Sequence, residues 1–152
     1  MIVYRITKKW LADDLSGEGA KLYGGRWNPE GHPVVYTSES RSLAALEFYA
    51  HRSRSRHLID LTLVQIVIPD DVEAKHLKLG DLPEGWDNYP APDSLALIGA
   101  EWLNSKSSLS LIVPSAIVPQ ESNVLINPAH DEMRRVFIGE VEEFSFDRRF
   151  LA

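Results

Sequence analysis

Along this chain the hydrophobic residues fall into short runs closed by Gly, Pro, Asn, Asp or Ser, and the spacing inside each run predicts an element. Ile2-Val3-Tyr4-Arg5-Ile6 predicts a strand, and Trp10-Leu11 with Leu15 predicts a short helix that Ser16-Gly17 would stop. Val34-Val35-Tyr36-Thr37 predicts a second strand, after which the serines between 38 and 42 offer oxygens to cap a helix over 43–50. Residues 61–68, rich in Val, Ile and Thr and closed by Pro69-Asp70, give the clearest strand. A helix is expected over 93–103, with Leu95, Ile98 and Trp102 on one stripe, after a loop-rich stretch. Four more short strands are expected over 109–113, 123–126, 134–138 and 144–146.

Helices and strands do not alternate regularly in this order, which argues against a doubly wound parallel sheet. It predicts an α+β fold of mostly antiparallel short strands with a few flanking helices. With no internal repeat and no linker, residues 1–152 read as one domain. The pattern breaks once: five of the nine glycines lie between positions 17 and 31, which predicts a shaped loop.

Charge narrows the partners. Sixteen Lys and Arg against 22 Asp and Glu give a net −6, which opposes the broad attraction that nucleic-acid binding relies on, so no direct nucleic-acid contact is expected. An anionic ligand would have to be held locally, by a few basic or backbone N–H groups in a cleft. No cysteine is present, which removes disulfides, thiolate metal sites and a cysteine nucleophile. No apolar run approaches the ~18 residues of a membrane span, and MIVYRITKKW carries charge where a secretory core would sit, so a cytoplasmic protein is expected.

Several common sites are absent. The stretch from Gly25 to Gly31 lacks the Lys-Ser/Thr of a phosphate loop, no GxGxxG follows a strand into a helix, and the histidines form no HExxH, so no metal is expected. What remains is Gly24-Gly25-Arg26-Trp27-Asn28-Pro29-Glu30-Gly31, then Tyr36, then Glu47. The glycine pair allows close approach of backbone to a ligand, and Arg26 supplies a permanently charged fork suited to phosphate. Tyr36 faces away from Val35, where its ring could pack on a flat heterocycle while its hydroxyl stays wet. Glu47 lies at the edge of its helix's apolar stripe. Each has a plain alternative: a half-buried strand tyrosine, a carboxylate paired with His51 one turn on, a surface arginine beside a turn. The basic run from His51 to His57 reads as a solvated loop, or else as a docking site for an acidic partner.

Taken together, these residues resemble the RES domain family, the toxins of bacterial RES–Xre toxin–antitoxin pairs. The similarity runs through Tyr4-Arg5, Gly24-Gly25-Arg26-Trp27-Asn28 with Gly31, Tyr36-Thr37-Ser38, the helix from Ala44 to Glu47, and Val113-Pro114-Ser115. It continues in Val118-Pro119 and Leu125-Ile126-Asn127-Pro128 with His130, leaving about 70–95 as the least typical part. The resemblance implies a fold similar to the ADP-ribosyltransferases and a type II toxin that consumes NAD+ as substrate, with no cofactor, releasing nicotinamide and ADP-ribose. Carried over, Arg26, Tyr36 and Glu47 are the catalytic trio and Ser115 the serine of the family name; Gly25 and Trp27 are expected to join Arg26, Tyr36 and Ser115 in binding, with core or cleft-wall packing the plain alternative for Trp27. The implied partner is an Xre-like helix-turn-helix antitoxin that blocks the cleft, with a toxin homodimer inside that complex left open.

The chemistry agrees with that assignment. Nicotinamide leaves as a neutral molecule from a cationic pyridinium and needs no proton from a general acid, so one carboxylate suffices. Glu47 would stabilise oxocarbenium-like charge on the ribose or hold its 2′-hydroxyl, Arg26 would hold the pyrophosphate or the adjoining ribose, Tyr36 would pack on nicotinamide, and Ser115 would bond the carboxamide or the ribose. Two other readings stand beside this one: transfer of ADP-ribose to a cellular protein, and a non-catalytic module that pairs with a helix-turn-helix partner.

Overall fold

The computed structural model describes residues 1–51 and 58–151, so the basic run beyond His51 lies outside the described residues. Its ten principal elements are β1 (Ile2–Lys8), α1 (Glu18–Tyr23), β2 (Val35–Ser38), α2 (Arg41–His51), β3 (Leu61–Val67), β4 (Lys75–His76), α3 (Asp93–Ser105), β5 (Ser110–Pro114), β6 (Ser122–Ile126) and β7 (Phe137–Phe144). The strands form one seven-stranded sheet in the order β4-β5-β6-β2-β1-β3-β7. Only β4 and β5 run parallel, so the expected α+β, mostly antiparallel arrangement is what forms.

The period of two along each strand sorts the side chains onto two faces, and the register carries that sorting across the sheet. Tyr4 opposite Ser38, Ile6 opposite Leu63, Tyr36 opposite Leu125 and Leu111 opposite Leu125 share one face. Over that face α2 packs Ala44 against Ile6, Leu61 and Leu63, and α3 packs Leu95, Trp102 and Leu103 against Leu111, Val113 and Leu125. The short β2 lies between the two helices. The opposite face buries Val3, Val35, Val64, Ile66, Val124 and Ile126 beneath Val136 and its neighbours.

Ser40 caps α2 by accepting from Leu43 N–H, as the serine cluster predicts. α3 begins after Pro92 with Asp93 in its first turn and ends at Lys106, whose φ of 52° cannot continue a helix. Three expectations need correction. The helix around 10–15 is a single 3-10 turn at Lys9–Leu11, because its chain bends to deliver the Leu11 and Asp14 carbonyls to the Arg5 guanidinium. The glycine-rich stretch contains α1, capped where Gly24 N–H reaches the Ala20 carbonyl. The two strands expected over 134–138 and 144–146 are one: Arg134 and Arg135 belong to a 3-10 turn, and β7 runs unbroken to Phe144. Among the described residues no helix is long and apolar enough to cross a membrane, and no group of three or more His, Asp or Glu is placed to hold a metal.

Candidate active site

The site is built on the face of β2 left between α2 and α3. Tyr36 and Ser38 are two positions apart there, about 7 Å along the strand, and both point to the helix side. Each anchors a separate group of side chains.

Around Tyr36 the glycine-rich loop folds on itself. Gly25 N–H donates to the Asn28 carbonyl at 2.9 Å, so this amide serves the loop and not a ligand. Asn28 is fully buried; its amide donates to the carbonyls of Ala20 at 2.8 Å and His32 at 3.0 Å, and its Oδ1 accepts from the Tyr36 hydroxyl at 2.6 Å. The same hydroxyl accepts from Trp27 N–H at 3.1 Å. A Cβ on Gly25 would stand 2.8 Å from it, which explains a glycine there without any appeal to unusual φ. The tyrosine hydroxyl is therefore not wet, as the sequence suggests, but a knot that closes the loop. Burial pushes its pKa up, and neither the Trp27 bond nor the charge of Arg26 offsets this, so Tyr36 stays protonated and cannot serve as a base.

Tyr36→Phe keeps the ring and removes the knot, leaving Asn28 Oδ1 and Trp27 N–H without their partner. It is expected to cost about 1–3 kcal/mol, measured as a lower urea midpoint with unchanged slope. An unshifted midpoint would show that the knot holds nothing.

Arg26 points the other way along the loop. Its Nη1 donates to the Trp86 carbonyl at 2.7 Å and the Asn88 carbonyl at 3.0 Å, pinning the segment of the chain least typical in sequence. Among the described residues only Nη1 of the fork is bonded, which leaves Nε and Nη2 open to an anion. The Trp27 indole is buried against Leu95, Leu111 and Leu125, so this residue contributes its backbone to the loop and its ring to the core rather than to a ligand.

Around Ser38 the second group gathers. The Glu47 carboxylate reaches from α2 and its Oε1 accepts from Ser115 Oγ and Asn123 Nδ2, both at 2.7 Å. Ser38 Oγ donates to Asn123 Oδ1 at 2.7 Å. Ser115 is fully buried and its oxygen also accepts from the N–H groups of Ile117 and Val118, so it caps a turn and orients the carboxylate at once. His51 does not pair closely with Glu47: its Nδ1 bonds the Glu47 carbonyl at 2.7 Å and stays 3.9 Å from Oε2. The carboxylate side chain is 18% exposed, and among the described residues its Oε2 accepts no hydrogen bond, with His51 Nδ1 3.9 Å away. Outside the site, Phe48 and Tyr49 of α2 stack with Phe146 and Phe150, so the C-terminal segment braces the helix that carries Glu47.

β1 and β2 pair only at Tyr4 opposite Ser38, and beyond it a hollow of roughly 250 Å³ opens between Arg5–Thr7 and Val34–Tyr36. Arg5 lines it with Nε buried and without a hydrogen-bond partner among the described residues, and burial lowers its pKa from the usual arginine value. The trio from the sequence is thus one face with two centres: Tyr36 with the Arg26 loop, and Glu47 with Ser115. Asn28, Ser38 and Asn123 complete it and were not singled out as site residues by sequence.

The fold of this seven-stranded α+β sheet is similar to that of a toxin of known structure. The chain aligns with the crystal structure of the M. tuberculosis MbcT–MbcA toxin–antitoxin complex at TM-score 0.76 and 21% identity, covering 95% of this chain and 84% of that one. The sequence profile of the RES domain matches residues 2–147, and the protein belongs to that family. It is 43% identical over 147 residues to Toxin Res of Yersinia enterocolitica, covering 96% of this chain and 95% of that protein. It is 42% identical over 147 residues to a Prs ADP-ribosylating toxin of a Sphingobium species, covering 95% and 91%.

Proposed function

We propose that this protein is the toxin of a toxin–antitoxin pair and that it cleaves NAD+ between nicotinamide and ribose. The observation that carries the reading is the Glu47 carboxylate, with Oε1 bonded by two side chains and Oε2 accepting no hydrogen bond among the described residues. When the C1′–N bond breaks, its electron pair stays on the pyridinium nitrogen and nicotinamide leaves neutral. The ribose is left with oxocarbenium character, which Oε2 stabilises directly or through the 2′-hydroxyl. Water adds at C1′ and gives up a proton, yielding ADP-ribose. The open edge of the Arg26 fork suits a pyrophosphate, and the hollow is walled in part by Tyr36 and Arg5.

A second reading has its own support: the Sphingobium relative is named an ADP-ribosylating toxin, and a side chain of a protein target could replace water at C1′. The implied partner is an antitoxin of the Xre-like helix-turn-helix kind, which would carry the DNA contact that a chain of net charge −6 does not favour.

Purified protein incubated with NAD+ labelled in the adenylate is expected to release nicotinamide and leave the label on free ADP-ribose. Label on a cellular protein would move the conclusion to transfer, and no nicotinamide from either arrangement would reject both.

A further inference from the structure

Glu47 reaches the sheet from a helix on a side chain with several rotatable bonds, so its two oxygens have no fixed places unless the sheet supplies them. The sheet does so on one side only. Oε1 meets two donors at 2.7 Å, which fill its two lone pairs, and neither bonds Oε2.

One of those donors is an asparagine in a strand, a position where this residue type is disfavoured. Its amide has two possible orientations, and its neighbours allow one. A carboxylate only accepts, so Nδ2 must face Glu47 and Oδ1 must face Ser38, whose hydroxyl then has to donate. Ser38 is buried and stands opposite Asn123 in the β2–β6 register. The line Ser38 to Asn123 to Glu47 is thus polarised in a single sense by two strands and read by the helix.

Resting on the cleavage reading above, we propose that Asn123, oriented by Ser38, is a positioning residue for that reaction. It holds Oε1 so that Oε2 faces the ribose, and it touches no substrate itself. Ser115 shares the task but is committed to its own turn, accepting from Ile117 and Val118 N–H, whereas Asn123 has Glu47 as the acceptor its amide serves.

The test is a kinetic series with a structural control. Asn123→Leu, close in volume and unable to donate, is expected to lower kcat about tenfold to a hundredfold with KM within about twofold of the parent, and Ser38→Ala to act in the same way but less. Combined with Glu47→Ala, Asn123→Leu is expected to add no further loss, because it acts only through that carboxylate. An unchanged kcat, a loss confined to KM, or a full additional loss beside Glu47→Ala each overturns the proposal. If the parent protein cleaves no NAD+, it is the functional reading that fails, and crystal structures then decide the positioning. A Glu47 carboxylate rotated off its place in Asn123→Leu sustains it, and one left unmoved overturns it. Should the leucine variant not fold, Asn123→Ala also removes the donor without adding charge and is put through the same measurements.

Discussion

Glu47→Gln is expected to lower nicotinamide release from NAD+ by about a thousandfold and to leave the protein folded. Gln keeps the length and volume of Glu, and its carbonyl oxygen can still accept from Ser115 and Asn123, so the polar cluster survives. What changes is the open end. A carboxylate oxygen with excess negative charge becomes an NH2 with its positive edge toward the ribose, at the moment when positive charge develops there. A thousandfold loss corresponds to about 4 kcal/mol of transition-state stabilisation, a size expected of one charged group on a developing charge in a partly desolvated site. Removing Glu47 to Ala confounds this with a buried serine and an amide left unpartnered, so Gln is the sharper variant. Release within tenfold of the parent, from protein with unchanged circular dichroism, would remove Glu47 from the chemistry.

The same substitution separates an enzyme from a pairing module. Expression of the parent chain alone is expected to arrest growth, and co-expression of a neutralising partner to relieve it. If Glu47→Gln arrests growth equally well, the cleft is an interface and the carboxylate a structural group. If it is harmless yet still binds the partner, toxicity runs through the carboxylate.

Why some of this was legible and some not follows from where each signal lies. Residues 61–67 and the α3 stripe are buried on one or both sides, so burial wrote their periods into the sequence, and Trp102 and Leu95 are found facing the sheet as expected. β7 is an edge strand exposed along nearly its whole length, with Glu140, Glu142 and Glu143 in its middle. Such charges keep an edge from pairing with other chains, and they also erase the alternation by which a strand is recognised, so only its ends were visible. α1 was hidden differently. Its residues are all exposed or nearly so, and Asn28 holds it by donating to the Ala20 carbonyl, information that lies outside the helix.

The site divides along the same line. Arg26, Tyr36, Glu47 and Ser115 carry chemistry that residue type announces. The residues that orient them are amides and hydroxyls, common in loops and strand ends and without local signature. Ser38 and Asn123 become a pair only through the register of β2 on β6, and Asn28 meets Tyr36 only because Gly25 lets the loop close over the hydroxyl. A sequence reading that asked which polar residues sit on the same strand face as Tyr36 would have reached Ser38. Nothing short of the strand order would have reached Asn123.

The largest effect on stability is expected from Gly99→Ala, a change that the helix itself should welcome. Alanine in a helix interior is favoured over glycine by about 1 kcal/mol, and Gly99 lies in the middle of α3. A glycine kept there implies a contact that outweighs the propensity. The contact is the backbone of the arginine loop: a Cβ at Gly99 would lie 1.6 Å from the Trp27 carbonyl oxygen and 2.6 Å from its carbon. Backbone cannot swing aside as the end of a long side chain can, so either α3 lifts from the sheet or the loop shifts. α3 is held by Leu95, Trp102 and Leu103 in the core, and the loop is held by the Tyr36 knot at the N–H of that same Trp27. The loss is therefore expected to reach about 3 kcal/mol or more, a drop in melting temperature of about 10 °C for a domain of this size. Because the displaced carbonyl belongs to the residue after Arg26, affinity for NAD+ should fall in whatever fraction remains folded. Gly19→Ala is the control: it sits in α1 with nothing within 4 Å of the added carbon, and should be neutral or slightly stabilising. Equal melting temperatures for the two variants would mean that α3 and the loop do not approach as closely as this packing requires. The placement of Arg26 over the sheet would then have to be redrawn.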